Sequence, residues 1–165
     1  MLQRKQSIFL LVSSLCLVLT YFLPFAVFDN GTFQGTLRCY GFKDEFNGVY
    51  RPEISNYGLH IVLAVILVMT LFAIFSFNNR KRQLSILKIA VIGFAGVFTM
   101  MALFINSAQN AIEKSIESAG SNLAPAVFSP SIAMFLPVMA FVCNYIAMRF
   151  IRKDEELVRS VDRIR

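Results

Sequence analysis

Ile132 to Arg165 decides how this chain is read: IAMFLPVMAFVCNYIAMRFI (132–151) is apolar almost throughout, and RKDEELVRSVDRIR (152–165) follows without a break. Ten of the last seventeen residues are charged. The apolar part matches a helix crossing a hydrocarbon layer about 30 Å thick, which needs roughly 20 residues. The basic edge at Arg149, Arg152 and Lys153 then reads as the boundary with water and as a topology signal.

Working outward, three more apolar blocks precede it, at 7–28 (SIFLLVSSLCLVLTYFLPFAVF), 58–77 and 84–107, and the last block begins at 131. The 165 residues are 56% hydrophobic and 16% charged, with the charges clustered outside those blocks and only Lys88 and Arg149 near their ends. A soluble core of this size does not need four such runs, so the expected fold is an all-α membrane protein. It is a four-transmembrane-helix bundle, one domain over 1–165, with a helical tail at 152–165. The first block follows Arg4 and Lys5 like a signal peptide, but it is too long for one and no small-x-small cleavage site follows, so it reads as a retained anchor. Pro24 is expected to kink or thin that helix.

The loops carry their own signals. Residues 29–57 include Thr32-Phe-Gln-Gly-Thr-Leu-Arg-Cys-Tyr-Gly-Phe42 and the turn pair Asn47-Gly48 before Val49-Tyr50, which predict a small antiparallel hairpin weakened by Gly35 and Gly41. Residues 108–129 predict a short helical extension from Ala108 to Glu117, with Ser129 and Pro130 opening the last helix as N-cap and first helical position. Pro137 is expected to kink that helix. Of the 16 Lys and Arg residues, 12 lie near the N-terminus, the 78–83 turn with Lys88, or the tail. The remaining four, Arg38, Lys43, Arg51 and Lys114, lie in the other loops. By the positive-inside rule both termini face the cytoplasm. The net charge of +6 is thus topology signal, and no nucleic-acid partner is expected.

Three stretches carry a resemblance: Met1-Leu-Gln-Arg4-Lys-Gln-Ser-Ile-Phe-Leu-Leu11 with Leu23-Pro24-Phe25-Ala26; Asn79-Arg80-Lys81-Arg82-Gln83; and the ending from Arg149 to Arg165. Together the chain resembles a family of small four-span inner-membrane proteins of the Bacteroidetes lineage, an uncharacterised domain of unknown function. The resemblance spans the chain apart from the outer loops, and the tail is its most specific part. It implies the four-span fold and a bacterial inner membrane, and brings no activity, cofactor or catalytic residue with it.

Few residues invite chemistry. No nucleophile–base pair, phosphate-binding glycine loop or metal-ligand spacing occurs, so neither an enzyme nor a cofactor or metal site is expected. Cys16, Cys39 and Cys143 have no redox spacing, and His60 reads as an interfacial histidine. The spans hold no Asp, Glu or His at mid-depth, only Ser13, Ser14, Thr20, Thr70, Thr99 and Asn144, residues that usually join helices through hydrogen bonds. Ala90, Gly93 and Gly96 mark the third span for close packing.

In the tail, Arg152, Arg159 and Arg163 share a helical face, while Ile151, Leu157, Val158, Val161 and Ile164 gather opposite, interrupted by Asp154 and Arg165. Glu155 and Asp162 sit among the arginines, and Arg152 can reach Glu156. The candidate interaction residues are therefore Arg152, Glu155, Leu157, Val158, Arg159, Val161, Asp162, Arg163 and Ile164. They describe either a plain solvated extension or a helix docking on a protein partner, on the bundle or on the membrane surface. Six bases against four acids leave little net charge for holding anionic lipid. The expected function is structural or interactive, surrounded by membrane lipids, with the oligomeric state open. The alternative is a small carrier, pore or lipid-handling protein, which requires Ser13, Ser14, Thr99 and Asn144 to converge on a polar cavity.

Overall fold

The computed structural model describes residues 2–29, 34–44, 50–51, 57–77, 79–118 and 127–162. Four helices dominate it: α1 (Leu2–Phe22), α2 (Tyr57–Phe75), α3 (Arg80–Ser118) and α4 (Leu136–Asp162). Each helix packs against its two neighbours in a closed ring, α1–α4–α3–α2, with α1 and α4 most extensively joined. Ring neighbours run antiparallel: Gln6 and Ser13 of α1 meet Asp154 and Asn144 of α4, and the short 76–79 turn reverses the chain between α2 and α3. Three helical stretches, Tyr57–Phe75, Arg80–Lys114 and Ile132–Val158, are long and apolar enough to cross a membrane. The apolar part of α1, Gln6–Phe22, is shorter.

The first block therefore does not run helical to residue 28. Proline disfavours helical backbone at the residue before it, so α1 stops at Phe22 and Pro24 ends it instead of kinking it. Arg38 then donates from Nη1 to the Phe22 carbonyl at 3.0 Å, covering one of the acceptors that every helix C-terminus leaves free. Beyond Pro24 the chain turns into a strand.

Five antiparallel strands follow from this, β1 (Ala26–Asp29), β2 (Gln34–Arg38), β3 (Gly41–Asp44), β4 (Tyr50–Arg51) and β5 (Val127–Pro130), in the spatial order β4-β3-β2-β1-β5. The expected hairpin is thus part of a larger sheet, because the second loop contributes β5 to it. Gly41 does not weaken its strand. It pairs with Arg38 across a two-residue turn and takes φ 153°, a value closed to other residues. The Asn47-Gly48 turn lies outside the described residues, though β3 and β4 pair on either side of it.

Ser129 and Pro130 do not open the last helix. They finish β5, where Pro130 stands opposite Ala26 on an edge strand that tolerates its missing N–H. Phe128 sits across from Phe28, ring centroids 5.5 Å apart, and that contact outweighs the helix-start signal. A 3-10 turn, Ile132–Phe135, leads into α4. Pro137 consequently occupies the first turn of α4, where no helical N–H is required, and is no interior kink.

The interior is layered. One apolar cluster joins the sheet to the adjoining half of the bundle through Phe25, Phe28, Leu37, Phe94, Phe104, Leu17, Ile66 and Ala140. Ala108 and Ile112 belong to it as well, so the expected extension of α3 forms and packs beneath the sheet. A second cluster of Leu10, Ala73, Leu84, Leu87, Ala147 and Ile151 fills the opposite end, here called the base. Small residues set the helix spacing: a Cβ on Gly93 would meet Ile66 of α2 at 3.2 Å. Ala95, Thr99 and Ala102 instead face outward.

Candidate functional site

Between the two apolar clusters lies a polar layer. Asn144 of α4 donates from Nδ2 to Ser13 Oγ of α1 at 2.9 Å and, more weakly, to Thr70 Oγ1 of α2 at 3.4 Å. Ser13 in turn donates to the Ala140 carbonyl and Thr70 to the Ile66 carbonyl. All three side chains are completely buried, and Asn144 Oδ1 has no partner among the described residues. The residues reach one another because their positions continue the buried faces of α1, α2 and α4. Ser14 and Thr99 do not join them. Ser14 donates back to the Leu11 carbonyl of its own helix, and exposed Thr99 donates to the Ala95 carbonyl. Ser13, Ser14, Thr99 and Asn144 therefore share no cavity; what forms is a closed three-helix joint that recruits Thr70.

A second polar group closes the base. The buried face of α4 runs Ala140, Cys143 and Asn144, Ala147, Ile151 and on to Asp154, at steps of three and four. Asp154 is buried and accepts a hydrogen bond at Oδ2 from the Gln6 side-chain amide of α1. Arg80 of α3 donates weakly to the Asp154 backbone carbonyl at 3.4 Å. Alongside, Gln83 donates to the Ala73 carbonyl at 2.9 Å and Arg82 Nε to Ser76 Oγ at 3.1 Å, stitching the end of α2 to the start of α3. Asn79 caps α3, its Oδ1 accepting from the Arg82 backbone N–H at 3.2 Å. Sequence reasoning treated Asp154 as an interruption of an apolar face. It is the last buried residue among the described side chains of α4.

The tail residues separate accordingly. Ile151 is locked into the base cluster and unavailable to a partner. Arg152 lies 4.0 Å from Glu156, an exposed pair one turn apart whose worth is small. Glu155 is half-buried, while Leu157 and Val158 are about half exposed. The last turns of α4 carry Arg159, Val161 and Asp162; Arg163 and Ile164 lie outside the described residues.

At the sheet end the fold makes a contact that spacing could not reveal. Cys39, in the turn between β2 and β3, places Sγ 3.7 Å from His60 Nδ1 on α2. Tyr21 of α1 donates to the His60 carbonyl at 2.7 Å and meets its ring edge-on at 4.9 Å. Burial pushes the Cys39 thiol up to about 11, away from the thiolate that a nucleophile or metal ligand requires. Among the described residues no group of three or more His, Cys, Asp and Glu side chains could hold a metal ion. The arrangement is a hydrogen-bonded joint between sheet and bundle.

Residues 2–164 match the family described as Domain of unknown function (DUF4293), and the chain belongs to that family. No curated protein matches it.

Proposed function

We propose that this member of the DUF4293 family is a four-span inner-membrane protein that acts by association and not by catalysis, docking a protein partner on the end of α4. The observation that carries this reading is the length of α4. It remains helical to Asp162, two turns past Asp154, the last buried residue among its described side chains, and exposes Leu157 and Val158 there. A helix that projects beyond its own core with apolar side chains suits recognition by a groove on another protein. The docking surface is shorter than composition implies, because Ile151 and Asp154 are spent on the base.

Several observations support the membrane placement. The apolar part of α1, Gln6–Phe22, is roughly 25 Å long, at the short end of what a span needs. Its Ile8, Leu11, Leu15 and Phe22 face outward, as lipid-facing residues do. The bases of the 78–83 turn, Lys88 and the start of the tail all sit at the base, against Arg38, Lys43, Arg51 and Lys114 toward the sheet end, a bias that supports a cytoplasmic base. The sequence resemblance supports a bacterial inner membrane. The carrier alternative loses its support, since the polar layer is closed and Thr99 lies outside it.

Removing residues 155–165 tests the docking reading while sparing Gln6–Asp154. The shortened chain should insert and stay folded, and a partner crosslinked to the full chain in native membranes should be lost. A partner retained by the shortened chain overturns the proposal.

A further inference from the structure

We infer that the groove between α3 and α4 at the base binds the phosphate headgroup of an anionic phospholipid. The groove encloses about 640 Å³ and is lined by Lys88 of α3 and by Arg149, Arg152 and Lys153 of α4, with Glu156 at its edge. Beneath these charges its walls are apolar, from Leu84, Ile146 and Met148, so a charged rim stands over a surface that suits acyl chains. A smaller recess beside it brings Glu155 to the same edge.

Charges on the same segment divide by direction. Asp154 turns inward to Gln6, and Arg152 leans toward Glu156. Lys88, Arg149 and Lys153 have no carboxylate within ion-pair distance among the described residues. Arg149 and Lys153 stand one turn apart on one face, and the Arg149 guanidinium rests over the Tyr145 ring at 5.6 Å, which holds it in the groove. Lys88 lies four residues, about 6 Å, inside the apolar run of α3 that begins at Leu84. Cations one turn inside the apolar run, on a face open to lipid, reach the headgroup layer, where the membrane can supply their anion. Basic recesses between spans on the cytoplasmic side are the usual shape of a lipid-headgroup site. The tail's small net charge understates this site, whose lining sets Lys88, Arg149, Arg152 and Lys153 against Glu156, with Glu155 in the recess beside it and Asp154 turned away.

The test is native mass spectrometry of the full chain in detergent, titrated with phosphatidylglycerol or with phosphatidylcholine of the same acyl chains, with inorganic phosphate as competitor. The wild-type chain should retain phosphatidylglycerol at least about tenfold better. Lys88→Gln with Arg149→Gln should bring the two lipids to near parity. Lys43→Gln with Lys114→Gln, which removes equal charge toward the sheet end, should leave the preference intact. Arg149→Lys should keep most of it. If the double variant does not fold, Lys153→Glu gives the same readout at an exposed position. Equal retention of both lipids by the wild type, a preference that survives Lys88→Gln with Arg149→Gln, or an equal loss in the sheet-end variant overturns the inference. Displacement of the lipid by inorganic phosphate does so too, by making a soluble anion the ligand.

Discussion

Replacing Asn144 with leucine tests whether the polar layer is a joint or a passage. Leucine keeps the branched outline of asparagine and removes its amide. Two interhelical hydrogen bonds are lost, to Ser13 at 2.9 Å and to Thr70 at 3.4 Å. Such bonds within a membrane are worth about 0.6 kcal/mol on average, so the loss is about 1–2 kcal/mol. Neither partner is orphaned, because Ser13 still donates to the Ala140 carbonyl and Thr70 to the Ile66 carbonyl. Against the loss stands the removal of Oδ1, buried and without an acceptor's partner, whose desolvation costs about 1–3 kcal/mol. The terms nearly cancel. Asn144→Leu should therefore lie within about 1 kcal/mol of wild type in reversible unfolding from lipid–detergent micelles, and Asn144→Ala should be worse by about 1 kcal/mol because it leaves a void. A loss above about 3 kcal/mol for the leucine variant would refute this reasoning, since it requires Asn144 to hold a water or ion as a passage would.

Other substitutions probe the remaining joints. Asp154→Ala should cost about 1–3 kcal/mol by stranding the Gln6 amide, with Asp154→Asn retaining most of the stability; equal losses would show that the hydrogen bond contributes little. Gly93→Leu should cost about 1–3 kcal/mol and Gly93→Ala clearly less, because the added atom already meets Ile66 at 3.2 Å; unfolding that ranks them otherwise refutes the close α2–α3 contact. Cys39, fully buried and titrating near 11, should label with maleimide at least about 100-fold more slowly at pH 7.5 in the native protein than in denaturant. The sign of its effect on stability follows. The folded pKa lies above the unfolded value near 9, so the thiol's contribution is complete below pH 9 and is lost as pH rises through 11. Cys39→Ala should flatten that alkaline fall.

What the sequence disclosed was local. Apolar runs located the helices, the pairing of Arg152 with Glu156 followed from a spacing of four, and Ser13 and Asn144 were legible as helix-joining residues. What it concealed depends on partners distant in the chain. Phe128 reads as loop until Phe28 is set opposite it, and Ser129-Pro130 satisfies the rules for a helix start as well as for an edge strand. Asp154 looks solvated because Gln6, which accommodates it, lies 148 residues away. Thr99 has the same composition signal as Thr70 and the opposite exposure, and only the helix rotation distinguishes them. The pairing of Cys39 with His60 requires the sheet to fold over the bundle end, which no single-helix periodicity encodes.

The end of α4 past Asp154 is proposed to meet a protein. Photocrosslinking from residue 157 or 158 in living cells tests it directly, with residue 92, exposed on the flank of α3, as the lipid-facing control. The account predicts a discrete protein adduct from both tail positions, none from residue 92, and its loss when Arg159 is changed to Glu. Tail positions that yield only lipid adducts, or the same products as residue 92, would contradict it.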